Sequence, residues 1–222
     1  MKYLRKFATE ADVNMSVIPN VVLAEDTGRV IYNVFKGVFI QHIDGSLYTT
    51  DEWTAKGFAN NEANGVAVCD PRASFVIAPT QASSMMVWSS DASTLVDGVM
   101  ATTNFSIAST DYAGLENTAL ITDIDTSGAA YFCANYTFKN GCKGYLPAMG
   151  EWVVAYENKN DINEAMSLIG GVTIVASGDN YWSSTQSGAT KAWHFYWYNG
   201  HKTEVGTKET SRLVRAFAPL SI

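Results

Sequence analysis

The run Trp193-His194-Phe195-Tyr196-Trp197-Tyr198-Asn199-Gly200-His201-Lys202-Thr203-Glu204-Val205 constrains the local fold more than any other stretch of the chain. Asn-Gly between β-prone runs is the strongest short hairpin signal, because both residues tolerate the positive φ of a tight two-residue turn. Side chains on a strand alternate between its faces. Trp193, Phe195 and Trp197 therefore share the face that seeks a core, while His194, Tyr196 and Tyr198 share the other. A two-residue loop sets Tyr198 opposite His201, Tyr196 opposite Thr203 and His194 opposite Val205. The outer face then reads His, Tyr, Tyr, His, Thr and Val. Lys202 and Glu204 fall on the Trp side, where they must reach past its edge.

The rest of the composition narrows the function class. A chain of 222 residues has room for one large domain, or a medium domain with an appendage. With 47% hydrophobic and 17% charged residues it buries a core and is not disordered. Its net charge is −7 and it has no Lys/Arg-rich run, so nucleic acid is not the expected ligand. The start, Met1 to Phe7, is followed by no apolar stretch of about 7–15 residues, and no run approaches the roughly 20 needed to span a bilayer. The expectation is a chain made in the cytoplasm, without a cleaved signal and without membrane insertion. Cys69, Cys133 and Cys142 are odd in number and loosely spaced, which argues against a disulfide framework or a zinc cage. Cys133 and Cys142 are near enough to pair across a short loop, but buried free thiols are the better reading, as in a reducing compartment.

Along the chain, residues 1–36 stand apart. Val21-Val22-Leu23 and Val30-Ile31-Tyr32 flank the turn-type cluster Glu25-Asp26-Thr27-Gly28, a strand pair that needs a partner surface. Val38-Phe39-Ile40, Asp44-Gly45 and Leu47-Tyr48 read as a second hairpin. Thr49 lies three residues before Glu52, a capping-box spacing that starts a helix around Trp53. Val66-Ala67-Val68 and Phe75-Val76-Ile77 read as buried strands, the second closed by Pro79. Thr80 to Ala130 is rich in Ser, Thr, Ala, Gly and Asp and predicts long loops with a short helix near Leu115–Ile124. Pro147 opens a further helix running to Tyr156 around Trp152. Asp161 and Glu164 mark another, ended by Gly170-Gly171. From 181 to 217 the chain returns to β character.

The motifs fall in a particular order: Asp111-Tyr112-Ala113-Gly114, Asn117-Thr118, Gly144-Tyr145-Leu146-Pro147, Glu151-Trp152, Tyr181-Trp182-Ser183-Ser184-Thr185, Ala192-Trp193, Gly200, and Val214-Arg215-Ala216-Phe217. This order resembles the C-type-lectin-like domains of gut Bacteroidales and their phages, some of which are variable proteins of diversity-generating retroelements. The resemblance covers about residues 37–218. It implies an α+β fold, with a mixed, mainly antiparallel sheet, two helices and long loops, preceded by the N-terminal hairpin segment. It also implies two units: 1–36, an assembly or virion-attachment segment that could also mediate homo-oligomerisation, and 37–222, the ligand-binding domain. The function it implies is a non-catalytic receptor-binding protein displayed on a phage virion, with a protein or glycan on a cell surface as partner.

Such retroelements randomise template adenines, so variable positions descend mostly from Asn codons. These can become Tyr, His, Ser, Gly, Thr or Val, but never Trp, Lys, Glu, Gln or Met. Every outer-face residue of the hairpin is reachable in this way; Trp193, Trp197, Lys202 and Glu204 are not. Codon logic and strand parity divide the hairpin alike, with only Phe195 left open by the codon test. The candidate ligand-binding set is His194, Tyr196, Tyr198, His201, Thr203 and Val205, with Ser187, Gly188, Thr190, Gly206, Thr207 and Thr210 on adjoining loops. Tyr offers broad contact with few rotors to freeze and one hydrogen-bonding tip. The bland alternative is a solvated sheet face with incidental aromatics.

Catalytic and metal readings fare worse, and neither a catalytic residue, a metal nor a cofactor is expected. Formylglycine-generating enzymes share the broad fold but need a reactive cysteine pair late in the chain, and no cysteine follows Cys142. Iron-dependent relatives need clustered histidines with a carboxylate, whereas this chain has only His42, His194 and His201. The Glu-Pro-Asn loop of calcium lectins is missing, and Ser183-Ser184 follows the comparable Trp182. Asp123-Ile124-Asp125 reads better as a solvated loop than as an ion site. A structural or adhesin-like domain with a fixed partner is the second reading, and an enzyme the third.

Overall fold

The structure, a computed structural model, describes residues 36–174, 180–198 and 205–220. The N-terminal strand pair, Asn199-Gly200, His201 and Thr203 lie outside them. The described chain is mixed α+β, with six α-helices and two antiparallel sheets.

Five strands form the larger sheet, in the order β2 (Leu47–Tyr48), β1 (Gly37–His42), β3 (Ala63–Cys69), β4 (Ser74–Ile77) and β8 (Phe217–Pro219). The β1–β2 hairpin forms where Asp44-Gly45 marks it, but over a longer loop. The His42 amide donates to Ser46 O, the Gly45 amide donates to His42 O, and Gly45 takes a φ of 94°. That is the three-residue hairpin with glycine in its left-handed position, rather than the two-residue turn. The sheet is buried on both faces. Val66, Val68, Phe75 and Ile77 enter one core, and Ala67 and Val76 enter the other, as the two-residue period requires.

Helices α1 (Thr50–Lys56), α5 (Met149–Glu157) and α6 (Lys159–Leu168) lie over the first core. The capping box is present as read: the Glu52 amide donates to Thr49 Oγ1 at 3.2 Å, and the Thr49 amide donates to Glu52 Oε2 at 2.9 Å. Pro147 is a correction. It stands one residue before the N-cap Ala148, outside the first turn of α5. Ala148 has no side-chain oxygen to cap with. Thr185 supplies one from another element, accepting from the Met149 amide at 3.0 Å. Helix α6 starts two residues before Asp161. It ends on Gly170, at φ 66°, with the Gly170 amide donating to Ser167 O and the Gly171 amide donating to Met166 O. This is a Schellman close.

The second core lies under the stretch expected to be loops, and here the expectation is incomplete. Helix α3 (Gly114–Ile124) is present, but α2 (Phe105–Ala108) and α4 (Gly128–Asn135) join it, so the two helices implied by the resemblance become six. Trp88, Val96, Ile121, Ala129 and Cys133 fill this side. All three cysteines are free thiols. Burial alone pushes Cys69 up to about 11 and Cys133 well above its usual value. No described helix is long and apolar enough to cross a membrane.

Candidate functional site

The smaller sheet carries the site. Strands β5 (Asn180–Gly188), β6 (Lys191–Tyr196) and β7 (Val205–Thr207) run antiparallel in that order. On one face, Trp193, Phe195 and Trp197 are all buried. Trp152 of α5 stacks on Phe195 at 6.3 Å and meets Trp197 edge-on at 6.0 Å. Burying an indole leaves its N–H in need of an acceptor. Trp152 Nε1 donates to Trp182 O at 3.1 Å and Trp193 Nε1 to Thr102 O at 2.7 Å. The ring face thus locks β6 onto α5. The adjacent Tyr198 is 62% exposed, and Tyr196 is half-buried.

The other face is not an open sheet surface. His194 is only 1% exposed, with the Trp182 ring edge-on at 5.8 Å and the Tyr196 ring at 5.2 Å. The Arg212 guanidinium lies 4.9 Å over the Trp182 ring. Burial, reinforced by the positive charge of Arg212, lowers His194 to about 3, so its imidazole is neutral near pH 7. Along β6, His194 does lie opposite the Trp face as parity requires, but the rings of Trp182 and Tyr196 and the nearby Arg212 enclose this part of the face. His194 is therefore a packing residue and not a surface one.

The register also differs. Trp193 pairs with Val205, Ala192 with Gly206 and Lys191 with Thr207, one residue away from the His194–Val205 pairing expected of a two-residue loop. Val205 accordingly packs toward the Trp core, half-buried. Gly206 is buried, and a Cβ there would come within 3.1 Å of the Trp182 ring and 2.5 Å of the Arg212 guanidinium.

The remaining candidates gather at the two ends of β6. At its start, Thr190, Thr207 and Thr210 are exposed; the Lys208 amide donates to Thr190 O, and the Thr207 and Thr210 hydroxyls are 2.8 Å apart. Ser187 and Gly188 are half-buried beside them. Tyr196 and Tyr198 stand at the far end, about 17 Å away along an extended strand.

Two buried polar groups that tie this sheet to its supports were not singled out from sequence. Lys208 is fully buried, its ammonium donating to Thr94 O at 2.7 Å and Gln186 Oε1 at 2.9 Å, 4.4 Å over the Trp88 ring. Burial lowers it to about 8, against the pull of the Asp91 carboxylate. No local pattern marks a buried lysine. The second group was visible only as motif letters. Asp111 Oδ2 accepts from Asn117 Nδ2 at 3.0 Å and Thr185 Oγ1 at 2.7 Å, and beside it Glu151 Oε1 accepts from the Tyr145 hydroxyl at 2.7 Å. Burial raises Glu151 to about 8; the Tyr145 and Ala148 hydrogen bonds oppose this, and the Asp111 and Glu116 charges add to it. Asp125 is likewise committed, holding Ser90 and Ser127 through amides and hydroxyls at 2.6–3.0 Å. Among the described residues no group of three or more His, Cys, Asp or Glu is placed to hold a metal ion.

Comparison with protein-family models, curated proteins and solved structures yields no match.

Proposed function

We propose that this chain is a non-catalytic receptor-binding protein of C-type-lectin-like fold, with its C-terminal hairpin as a diversifiable recognition surface. It would act as the variable protein of a diversity-generating retroelement, displayed on a phage virion, with residues 1–36 as the attachment segment. The observation that carries this is the contrast between neighbours: Trp197 is 2% exposed and Tyr198 62%. A strand clamped by stacked rings presents a free aromatic immediately beyond the clamp. Rigid aromatic anchors on a fixed scaffold suit recognition of a protein or glycan receptor, since little side-chain entropy is lost on binding. The recognition set is best drawn as Tyr196 and Tyr198 with the exposed threonines 190, 207 and 210, while His194 and Gly206 support the surface from beneath. The buried carboxylates nearest this sheet, Asp111 and Glu151, are engaged inside the fold by Thr185 and Tyr145.

A fixed-partner adhesin is the second reading, favoured by the burial of His194 and Gly206, which narrows what can vary. Sequencing the DNA beside the gene separates the two. A second copy of the segment encoding 181–217, with adenines at codons 196 and 198, next to a reverse-transcriptase gene supports diversification. Flanks holding neither leave only the fixed partner.

A further inference from the structure

A cleft of about 330 Å³ opens far from the hairpin in sequence, between the 3-10 turn Asn60–Glu62, the Pro79-Thr80 corner, the segment following α4 and the glycine pair that closes α6. Its walls are tied to one another across the opening. Lys139 Nζ donates to Asn60 O at 3.3 Å and Asn61 O at 3.1 Å, the Tyr136 and Thr80 hydroxyls are 3.0 Å apart, and the Val172 amide donates to Pro79 O at 2.7 Å. Cross-linking of this kind keeps a cleft open without a ligand, which is how small-molecule sites are usually built.

We propose that this cleft binds a neutral polyhydroxylated ligand, a saccharide of one or two rings, without a metal ion. Its polar lining consists of side-chain amides and hydroxyls: no carboxylate contributes, and its one cation, Lys139, is engaged with two carbonyls. A cation therefore finds no counter-charge, and an anion meets a single ammonium that already spends two of its three N–H donors on backbone carbonyls. The Asn60 and Asn61 side chains are exposed to solvent at the cleft, and no hydrogen bond within the described residues occupies their amides. Each amide offers both a donor and an acceptor, matching a sugar hydroxyl, which is also both. Pro79 and Ile169 add apolar surface for the C–H face of a ring. The volume lies at the lower end of the range for small-ligand sites, about 300–1,000 Å³. The cleft shares no residue with the hairpin, so this proposal stands or falls separately from the display reading.

The test is saturation-transfer NMR and calorimetry on the whole chain with uncharged methyl glycosides of hexoses and N-acetylhexosamines. Inorganic phosphate and a capped tri-alanine peptide serve as the other ligands. The expected result is saturable binding of at least one glycoside, unaffected by phosphate or chelator. Asn60→Ala and Asn61→Ala should each weaken it about 5- to 10-fold, as loss of one hydrogen bond does, with an unchanged Tm. Absence of glycoside binding, binding that survives in the double variant, or preference for phosphate or the peptide overturns the proposal.

Discussion

Four residues apart, Tyr198 and His194 meet opposite surroundings: one stands in solvent, the other is enclosed by the Trp182 and Tyr196 rings. Replacing Tyr198 with Ala should move stability by no more than about 0.5 kcal/mol, as at an ordinary surface position. Replacing His194 with Ala removes a buried ring and should cost about 1–3 kcal/mol. Denaturant titration of the two variants checks this; equal losses would mean that Tyr198 is structural. The buried titratable groups also set a pH signature. Glu151 is raised to about 8, so its contribution is full below its unfolded value near 4.5 and is lost as pH rises through 8. His194 is lowered to about 3, so its contribution is present above its unfolded value near 6.5 and is lost as pH falls toward 3. Between about pH 6.5 and 8 the Glu151 slope acts alone of the two, and Glu151→Gln should flatten it. Measured as urea stability against pH, an unchanged slope in that variant would show that Glu151 is not the titrating group.

At the scale of elements, stretches with strong local chemistry were legible in the sequence. The Thr49–Glu52 box and the Gly170-Gly171 close are each fixed within a few residues, so the local sequence reveals them, whereas Asp44-Gly45 marks the place of its turn but not its three-residue length. Helix α4 was not legible, because Ser127 at its N-cap makes no side-chain cap bond and its buried side are small residues, Gly128, Ala129 and Ala130. The packing of Gly128 against the Trp88 backbone belongs to the tertiary fold. The β6–β7 register was missed for a related reason. A one-residue shift leaves the faces of β6 intact and exchanges those of β7, so the ring pattern of β6 cannot report it. Thr49→Ala should cost about 1 kcal/mol through the lost cap, and Gly170→Ala about 1–2 kcal/mol because its φ of 66° strains any Cβ. Thermal melts of both variants, with helicity followed by circular dichroism, test these values.

Over the whole molecule, two cores flank the larger sheet and both continue under the smaller one: Tyr181 and Trp193 join the first, Trp182 and Ala192 the second. One face of the hairpin is therefore readable as core, whereas the burial of His194 on the other comes from Trp182 and Arg212, which are distant from it in sequence. Trp152 sits where α5, β5, β6 and β8 meet, touching Tyr181, Phe195 and Phe217. Trp152→Ala should cost about 3–5 kcal/mol and loosen the hairpin with the core; a smaller loss with an unchanged hairpin would separate the site from its scaffold.

The central claim is that this scaffold holds its shape while the side chains projecting from both ends of β6 are free to change. The direct measurement is a display library randomised at Thr190, Tyr196, Tyr198, Thr207 and Thr210, scored for folding by protease resistance and then selected on unrelated receptors. The account predicts that most members fold and that different receptors enrich different sequences at Tyr196 and Tyr198. A library that largely fails to fold, or folded members that never change partner, would contradict it.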